Sequence, residues 1–412
     1  MPGQLGVWFE GRRAGTLTRS GKVHMTFAYD PEWIESGFPL SLSLPFQEKA
    51  FPREATKAFF DNLLPEQRIR ALVSKQIQIS GNNTFGFLET IGGECAGALT
   101  ILPEGDRPAT RPDYAPIGKE ALGELIAQLP RRPLLAGEDG FRLSLAGAQN
   151  KLPIARLGDK FLLPVDGAAS THILKPAIDD LEGTIENEAF CMTLAAVAGR
   201  KVPEAEILDT YPRAYMVRRY DRVVEETGVR RLHQEDFCQA LGLPAALKYQ
   251  NDGGPGFKQC FELLDHCRQP DEDRRALFAM AVFNHLIGNT DAHAKNFSLL
   301  YANPPQPDLA PFYDLMCLGV YPGMAEKNAM KIGGSYDPAF IRKRHWLRLA
   351  DEAGLPEAEA LSLLAHDTQM LPIMAEIVAE EFQSHYGKSR IVPKIVEFIR
   401  ARCQQVADRL AD

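Results

Sequence analysis

The sequence predicts an α+β fold in two lobes, β-rich over its N-terminal part and helical over its C-terminal part. Three observations carry this. Apolar–polar alternation around turn residues fills the first 30 residues and returns between 140 and 222. Helical periodicity takes over beyond 233. A length of 412 residues is enough to bury more than one core.

Residues 1–105 read as a first, β-rich segment. LGVWFEGRRAGTLTR alternates about a Glu-Gly turn and predicts a hairpin, and KVHMTFAY continues it as a third strand. ATKAFFDNLLPEQRIRALVSK has helical spacing through Phe59, Phe60, Leu63, Leu64, Ile69 and Leu72, and GGECAGALTILP predicts a closing strand. The second segment, 106–232, begins in a proline- and charge-rich stretch, 103–117, that predicts a linker. GKEALGELIAQLP predicts a short helix. LPIARLGDKFLLPV predicts a hairpin at Gly158-Asp159, and THILKP a strand. IENEAFCMTLAAVAG predicts a helix ending at glycine, and AEILDTYPRAYMVRRYDR two strands joined at Tyr-Pro. The third segment, 233–412, is expected to be all helical. Its helix RRALFAMAVFNHLIGN is apolar nearly all round and so buried.

No apolar run reaches the 18 residues that would suggest a membrane span, and the start lacks a secretory pattern. The seven cysteines are scattered with no CxxC, which fits the reducing cytoplasm and excludes a disulfide framework or a cysteine-based zinc site. A net charge of −8 excludes a generic polyanion binder. Two local basic runs, 213–222 and 342–345, are expected to be solvated faces.

A β-rich segment with one helix feeding a helical segment is the order of a two-lobed nucleotide-binding enzyme, and four features agree with that order. Asp291 and Asn296, in GNTDAHAKNF just past the buried helix, have the D-x-x-x-x-N spacing of a kinase catalytic loop. In such a loop the Asp takes the proton of the attacking hydroxyl and the Asn offers an oxygen to Mg2+, which favours hard oxygen ligands. Asp314, at the end of the apolar run LAPFYDLMCL, suits a second metal-binding carboxylate, although Leu follows it where D-F-G has Phe. Lys175 in THILKP is a strand lysine placed to pair with phosphates, with Glu186 or Glu188 on the next helix as its partner. SLAGAQNK is a small-residue loop where a phosphate-covering loop belongs, though it fails the Walker pattern. The four together favour phosphoryl transfer.

These residues resemble the HipA family of serine/threonine kinase toxins. The resemblance is carried by SLAGAQNK (144–151), THILKP (171–176), NEAF (187–190), YMVRRYDR (215–222), QEDFCQALGLPAALKY (234–249), NDGGPG (251–256), NTDAHAKNFS (289–298) and PFYDL (311–315), with FFDNLLPE (59–66) and GGECAGALTILP resembling its N-terminal subdomain. It implies a two-lobed protein-kinase-like fold. It assigns Asp291 as the catalytic residue with His293 beside it near the nucleotide, Asn296 and Asp314 as Mg2+ ligands, and Lys175 as the ATP lysine. Arg218, Tyr220 and Asp221 become part of the hinge under the adenine, where Arg218 replaces a common Glu and leaves the hydrogen bonding to backbone. SLAGAQNK becomes the phosphate loop, with Ala146, Gly147, Ala148, Gln149 and Lys151 around ATP and Ser144 as the autophosphorylated off-switch. Arg142 and the basic strand 213–222 are then candidate partners for an expelled phosphoserine. The resemblance further implies a helix-turn-helix antitoxin, operator DNA bound chiefly through it, and a protein substrate of translation such as an aminoacyl-tRNA synthetase.

Two other readings are open to the same residues. A small-molecule kinase of the aminoglycoside type shares the Asp-x-x-x-x-Asn loop but needs neither the N-terminal β-rich segment nor Ser144. A non-catalytic corepressor would bind antitoxin and DNA without needing the three acid–base and metal positions.

Overall fold

The computed structural model describes residues 3–21, 24–138, 140–226, 228–324 and 326–411. Lys22 and Val23, expected to begin the third strand, lie outside the described residues. The chain forms two compact units: Met1–Pro176 with Leu208–Ala245 and Leu299–Pro307, and Ala177–Ile207 with Ala246–Ser298 and Asp308–Asp412. They cut across the three segments read from the sequence. The helix Thr184–Val197 falls in the second unit, and residues 299–303, in the segment expected to be all helical, fall in the first.

In the first unit, strands His24–Tyr29, Arg12–Ser20, Gly3–Phe9 and Leu99–Pro103 form an antiparallel sheet in that order. Its expected hairpin turns at Glu10 and Gly11, both at positive φ (46° and 80°), the geometry that matches strand twist. The single helical stretch expected over 55–75 is instead two helices, Arg53–Phe60 and Gln67–Ile77. Pro65 disfavours a helical residue before it, and Leu64 is extended at φ −100°, ψ 158°. The helix Thr84–Ile91, not anticipated from the sequence, sits between them and the closing strand.

Five further strands of this unit run in the order Asp113–Ile117, Lys160–Val165, Leu152–Leu157, His172–Pro176 and Ala214–Arg218. The first of these corrects the linker expectation, because the last five residues of 103–117 pair antiparallel with Lys160–Val165. Pro116 is tolerated there because the strand lies at the sheet edge. Leu122 and Ile126 of the helix Lys119–Gln128 pack with Leu152, Ile154, Leu174 and Met216 into one buried core. His233–Asp236, Ser298–Asn303 and Gln306–Leu309 are also strands, so 233–412 is not all helical. Short buried runs such as Ser298–Tyr301 have no polar face, and periodicity cannot assign them to helix or strand.

The second unit is built on helices, chiefly Thr184–Val197, Pro270–Ile287, Lys343–Ala353, Glu357–Tyr386 and Ile391–Ala411. Pro270–Ile287 starts with Pro at its first position and three acids in its first turn, and stops at Gly288 in the left-handed region (φ 74°). All residues from Leu277 to Ile287 are buried. All seven cysteines are buried and unbridged. Among the described residues no helix is long and apolar enough to cross a membrane.

Candidate active site

The buried helix Pro270–Ile287 delivers the chain into the loop 289–297. Asn289 turns back on the helix end: its N–H donates to Asn284 O (2.8 Å) and its Nδ2 to Asn284 Oδ1 (2.9 Å). The same Nδ2 donates to the carbonyl of Asp314 (3.4 Å), and Leu318 N–H to Gly288 O (3.1 Å). Two chain segments are therefore pinned to one rigid helix end. Neither glycine at this junction has room for a side chain, since a Cβ at Gly288 or Gly319 would fall 2.4 or 2.2 Å from the Phe398 ring.

On that base Asp291 is exposed, and its Oδ1 accepts a hydrogen bond from the Tyr249 hydroxyl at 2.9 Å. Tyr249 also stands edge-on to the buried His293 ring, 5.1 Å between centroids. The Asn296 side chain accepts from His293 N–H (3.1 Å) and donates to Asp314 Oδ2 (3.2 Å). Asp314 is half-buried and holds a left-handed backbone, φ 60°, which costs an L-residue roughly 1–2 kcal/mol. The structure thus brings Asp291, His293, Asn296 and Asp314 together in one unit. Two residues that sequence reasoning did not single out support them. Tyr249 fixes Asp291, and the buried Asn187 accepts from Cys317 N–H (2.8 Å) and donates to Cys317 O (2.9 Å), bracing the segment after Asp314.

The Asp314 carboxylate and the Asn296 amide oxygen are hard donors of the kind Mg2+ takes, but here the amide meets Asp314 through its nitrogen while its oxygen accepts from His293 N–H. Among the described residues no group of three or more His, Cys, Asp or Glu could hold a metal alone. A pair fits an ion that takes its remaining ligands from water and phosphate oxygens.

The first unit holds the other expected residues. Lys175 is buried on His172–Pro176, its Nζ 5.6 Å from the ring centre of its cross-strand partner Tyr215. The loop 144–151 is folded down on the N-terminal subdomain. Ser144 is fully buried, its N–H donating to Glu94 O (2.8 Å) and its Oγ to Leu63 O (2.8 Å). Gly147 O accepts from Glu66 N–H (3.0 Å), and Lys151 Nζ donates to Ala146 O (2.5 Å). Gly147 holds φ 109°, a backbone conformation that L side chains rarely adopt, and a Cβ there would displace the Lys151 ammonium 2.8 Å away. Ala148 is exposed and Gln149 half-buried at the loop tip. Glu188 is buried and Glu186 half-buried on Thr184–Val197 in the second unit.

The basic run 213–222 is not the solvated face expected. Arg218 is exposed, but Arg219 and Arg222 are buried with Asp221 and Glu94. Arg219 and Arg222 contact Glu94 Oε1 at 3.0 and 2.9 Å, and Arg231 contacts its Oε2 at 2.6 Å. Arg219 and Arg222 reach Asp221 Oδ2 at 2.7 and 2.9 Å, where Gly97 N–H also donates (2.7 Å). Burial alone would raise both carboxyl pKa values; the guanidinium groups outweigh it and hold both below the ordinary range. The side chains of Asp221 and of Tyr220, whose hydroxyl donates to Gln234, are engaged inside the unit, so a part for them in nucleotide binding is left to main-chain atoms. Arg142 donates to the carbonyls of Glu89 (2.6 Å) and Ile101 (3.4 Å), bonds it would have to exchange to meet a phosphoserine. The second basic run, 342–345, does begin an exposed helix end.

Comparison with known proteins agrees with this geometry. The family described as HipA-like C-terminal domain matches residues 143–377, and the HipA N-terminal domain matches 5–102. The chain belongs to the HipA family. It is 41% identical to a Sinorhizobium fredii protein named as a kinase, Y4mE, over 94% of this chain and 98% of that one. It is 32% identical to the serine/threonine-protein kinase toxin HipA of Shewanella oneidensis, over 92% of this chain and 90% of the toxin. The solved structure of Shewanella oneidensis HipA with HipB and operator DNA superposes with a TM-score of 0.85 at 28% identity, covering 98% of this chain and 97% of that one. Membership of the HipA family places this chain among kinase-named relatives with a protein-kinase-like fold.

Proposed function

We propose that this chain is an ATP- and Mg2+-dependent serine/threonine protein kinase toxin, silenced by phosphorylation of its own Ser144. The observation that carries the reading is the loop on the buried helix: an exposed Asp291 oriented by Tyr249, with the Asn296–Asp314 pair beside it. Asp291 orients the hydroxyl of a substrate Ser or Thr and takes its proton as the oxygen attacks the γ-phosphorus. The new O–P bond forms, the bond to the β–γ bridging oxygen breaks, and ADP leaves with that electron pair. Asn296 and Asp314 would hold Mg2+, which when bound neutralises charge on the phosphate oxygens. Lys175 would pair with phosphates, and the backbone of 146–149 with Lys151 would cover them.

Ser144 completes the reading as a switch. A phosphate there adds about −1.5 to −2 charges, and a fully buried site under the Leu63 carbonyl has no room for it. The loop must leave the fold, and its phosphate-covering geometry goes with it. The partner is a small helix-turn-helix antitoxin, with operator DNA bound chiefly through it, a reading supported by the matched HipA–HipB–DNA complex. The substrate is a protein of the translation machinery, probed first with aminoacyl-tRNA synthetases, and the site of action is the cytoplasm.

The test is incubation of the full chain with labelled ATP and Mg2+, with no added substrate. Self-labelling located at Ser144 by mass spectrometry, followed by loss of ATP affinity, is expected; Ser144→Ala stays active and unlabelled. No self-labelling, with transfer only to a small-molecule acceptor, would overturn the kinase-toxin reading. Full occupancy at Ser144 with unchanged ATP affinity would remove the switch.

A further inference from the structure

A recess in the first unit gathers basic side chains that the kinase chemistry does not use. It lies between the four-stranded sheet, the helix Arg53–Phe60 and the start of the helix Thr84–Ile91, and is lined by Arg19, His24, Arg53, Lys57 and Asn83, with no carboxylate among the described lining residues. Arg53 and Lys57 are four residues apart on one helix, so they share a face where like charges repel. Arg19 comes in from the neighbouring sheet, with its guanidinium 4.7 Å from the centre of the Phe85 ring, which fixes its direction. The Asn83 side chain caps the second helix through Gly86 N–H (3.1 Å), so the positive end of that helix faces the same space.

What marks the recess is that several cations without an ion pair line one space. Among the described residues Arg19, Arg53 and Lys57 form no ion pair, although each is half-buried. The chain has 54 acidic against 46 basic residues, so acids are in surplus. Among the described residues some cations of this unit are matched, as Arg13 is with Glu104 and Arg70 with Asp61, and others, such as Arg142, meet only carbonyls. Three cations from a strand and a helix line one concave space.

We propose that this recess is an oxyanion site that takes one phosphate group, inorganic or carried on a small molecule. The concave shape and the three cations lining it suit a single compact dianion. A nucleic-acid backbone would need an extended basic track, and the molecule as a whole is net negative. The proposal does not depend on the kinase reading.

The test is calorimetric titration of the full chain with inorganic phosphate, beside Arg53→Gln/Lys57→Gln and Lys57→Arg. The expected result is saturable binding, weakened at least ~10-fold in the double variant and within ~3-fold of the parent in Lys57→Arg, since the guanidinium keeps the positive charge and the donors for an oxyanion. Thermal unfolding in phosphate-free buffer separates ligand binding from structure: the double variant should be no less stable than the parent, because it relieves repulsion. Glycerol 3-phosphate binding more tightly than inorganic phosphate would assign a phosphorylated small molecule, and equal binding would assign phosphate itself. Binding unaffected by the double variant, a lowered melting temperature without phosphate, or displacement of phosphate by a short DNA duplex at matched ionic strength would each overturn the proposal.

Discussion

Glu94 and Asp291 are both acids set among polar partners, and the two units hold them in opposite ways. Glu94 is fully buried and meets three guanidinium groups, the Ser170 hydroxyl (2.8 Å) and the Ser170 N–H (3.0 Å). Asp291 is exposed, steered by a tyrosine hydroxyl at the tip of a loop whose rigidity comes from the apolar helix behind it. The difference separates two uses of charge. A carboxylate saturated by fixed partners holds backbone in place, here the Arg142–Ser144 segment that hydrogen-bonds to the main chain of Glu94. A carboxylate left at the surface keeps its capacity to accept a proton.

That contrast can be broken most sharply at Asp291. Asp291→Asn should reduce phosphoryl transfer by roughly 10²–10⁴-fold, the range of general-base catalysis. Its free energy of unfolding in urea should stay within about 0.5 kcal/mol of the parent, as for an exposed site. Unchanged turnover would show that the exposed acid is not the base.

Glu94→Ala should do the reverse. It leaves Arg219, Arg222 and Arg231 facing one another without their central anion, and loss of one partner from a buried charge group costs about 3–5 kcal/mol. Denaturant unfolding measures it, and a cost below about 1 kcal/mol would mean that the arginines reach water once the acid is gone.

A smaller effect sharpens the comparison inside the second unit. His285, on the buried helix, has no hydrogen-bond partner at either ring nitrogen among the described residues, and packs edge-on to Trp346 at 5.3 Å. Burial, aided by Arg402 and Arg409, pushes its pKa down to about 3 from 6.5. The folded state therefore holds the ring neutral, and its contribution is intact above pH 6.5 and lost as pH falls from 6.5 toward 3. Stability should drop by at most about 1.4 kcal/mol per pH unit over that window. His285→Phe should lose this part of the acid dependence, followed by thermal unfolding between pH 7 and 5. An unchanged slope would place the proton uptake elsewhere.

Much of the candidate site is legible in the sequence because its residues are local. Asp291, His293 and Asn296 lie within six positions, after a helix whose apolar run and glycine stop are plain to read, and Asp314 ends an apolar run. Tyr249 ends one of the stretches that carry the resemblance but was not singled out as a site residue, because its hydroxyl meets Asp291 across 42 positions. Glu94 was hidden for the same reason. It lies in a stretch whose apolar end predicts a strand, while its partners at 219, 222 and 231 come from beyond the next sheet. The arginine run misled because charge alone predicts solvent, and only tertiary pairing makes burial affordable.

The left-handed backbone at Asp314 has a consequence for anyone building a substitution library there. Each replacement changes two independent properties, the ligand atom and the fit of the residue to φ 60°. Alanine removes the carboxylate and resists the conformation; a β-branched residue resists it more; glycine removes the carboxylate while relaxing the chain; asparagine keeps a polar oxygen and tolerates the turn. Ranking a full set of variants by activity alone would therefore mix folding defects with lost chemistry. The glycine and asparagine members, read against alanine, are the internal standards that separate the two.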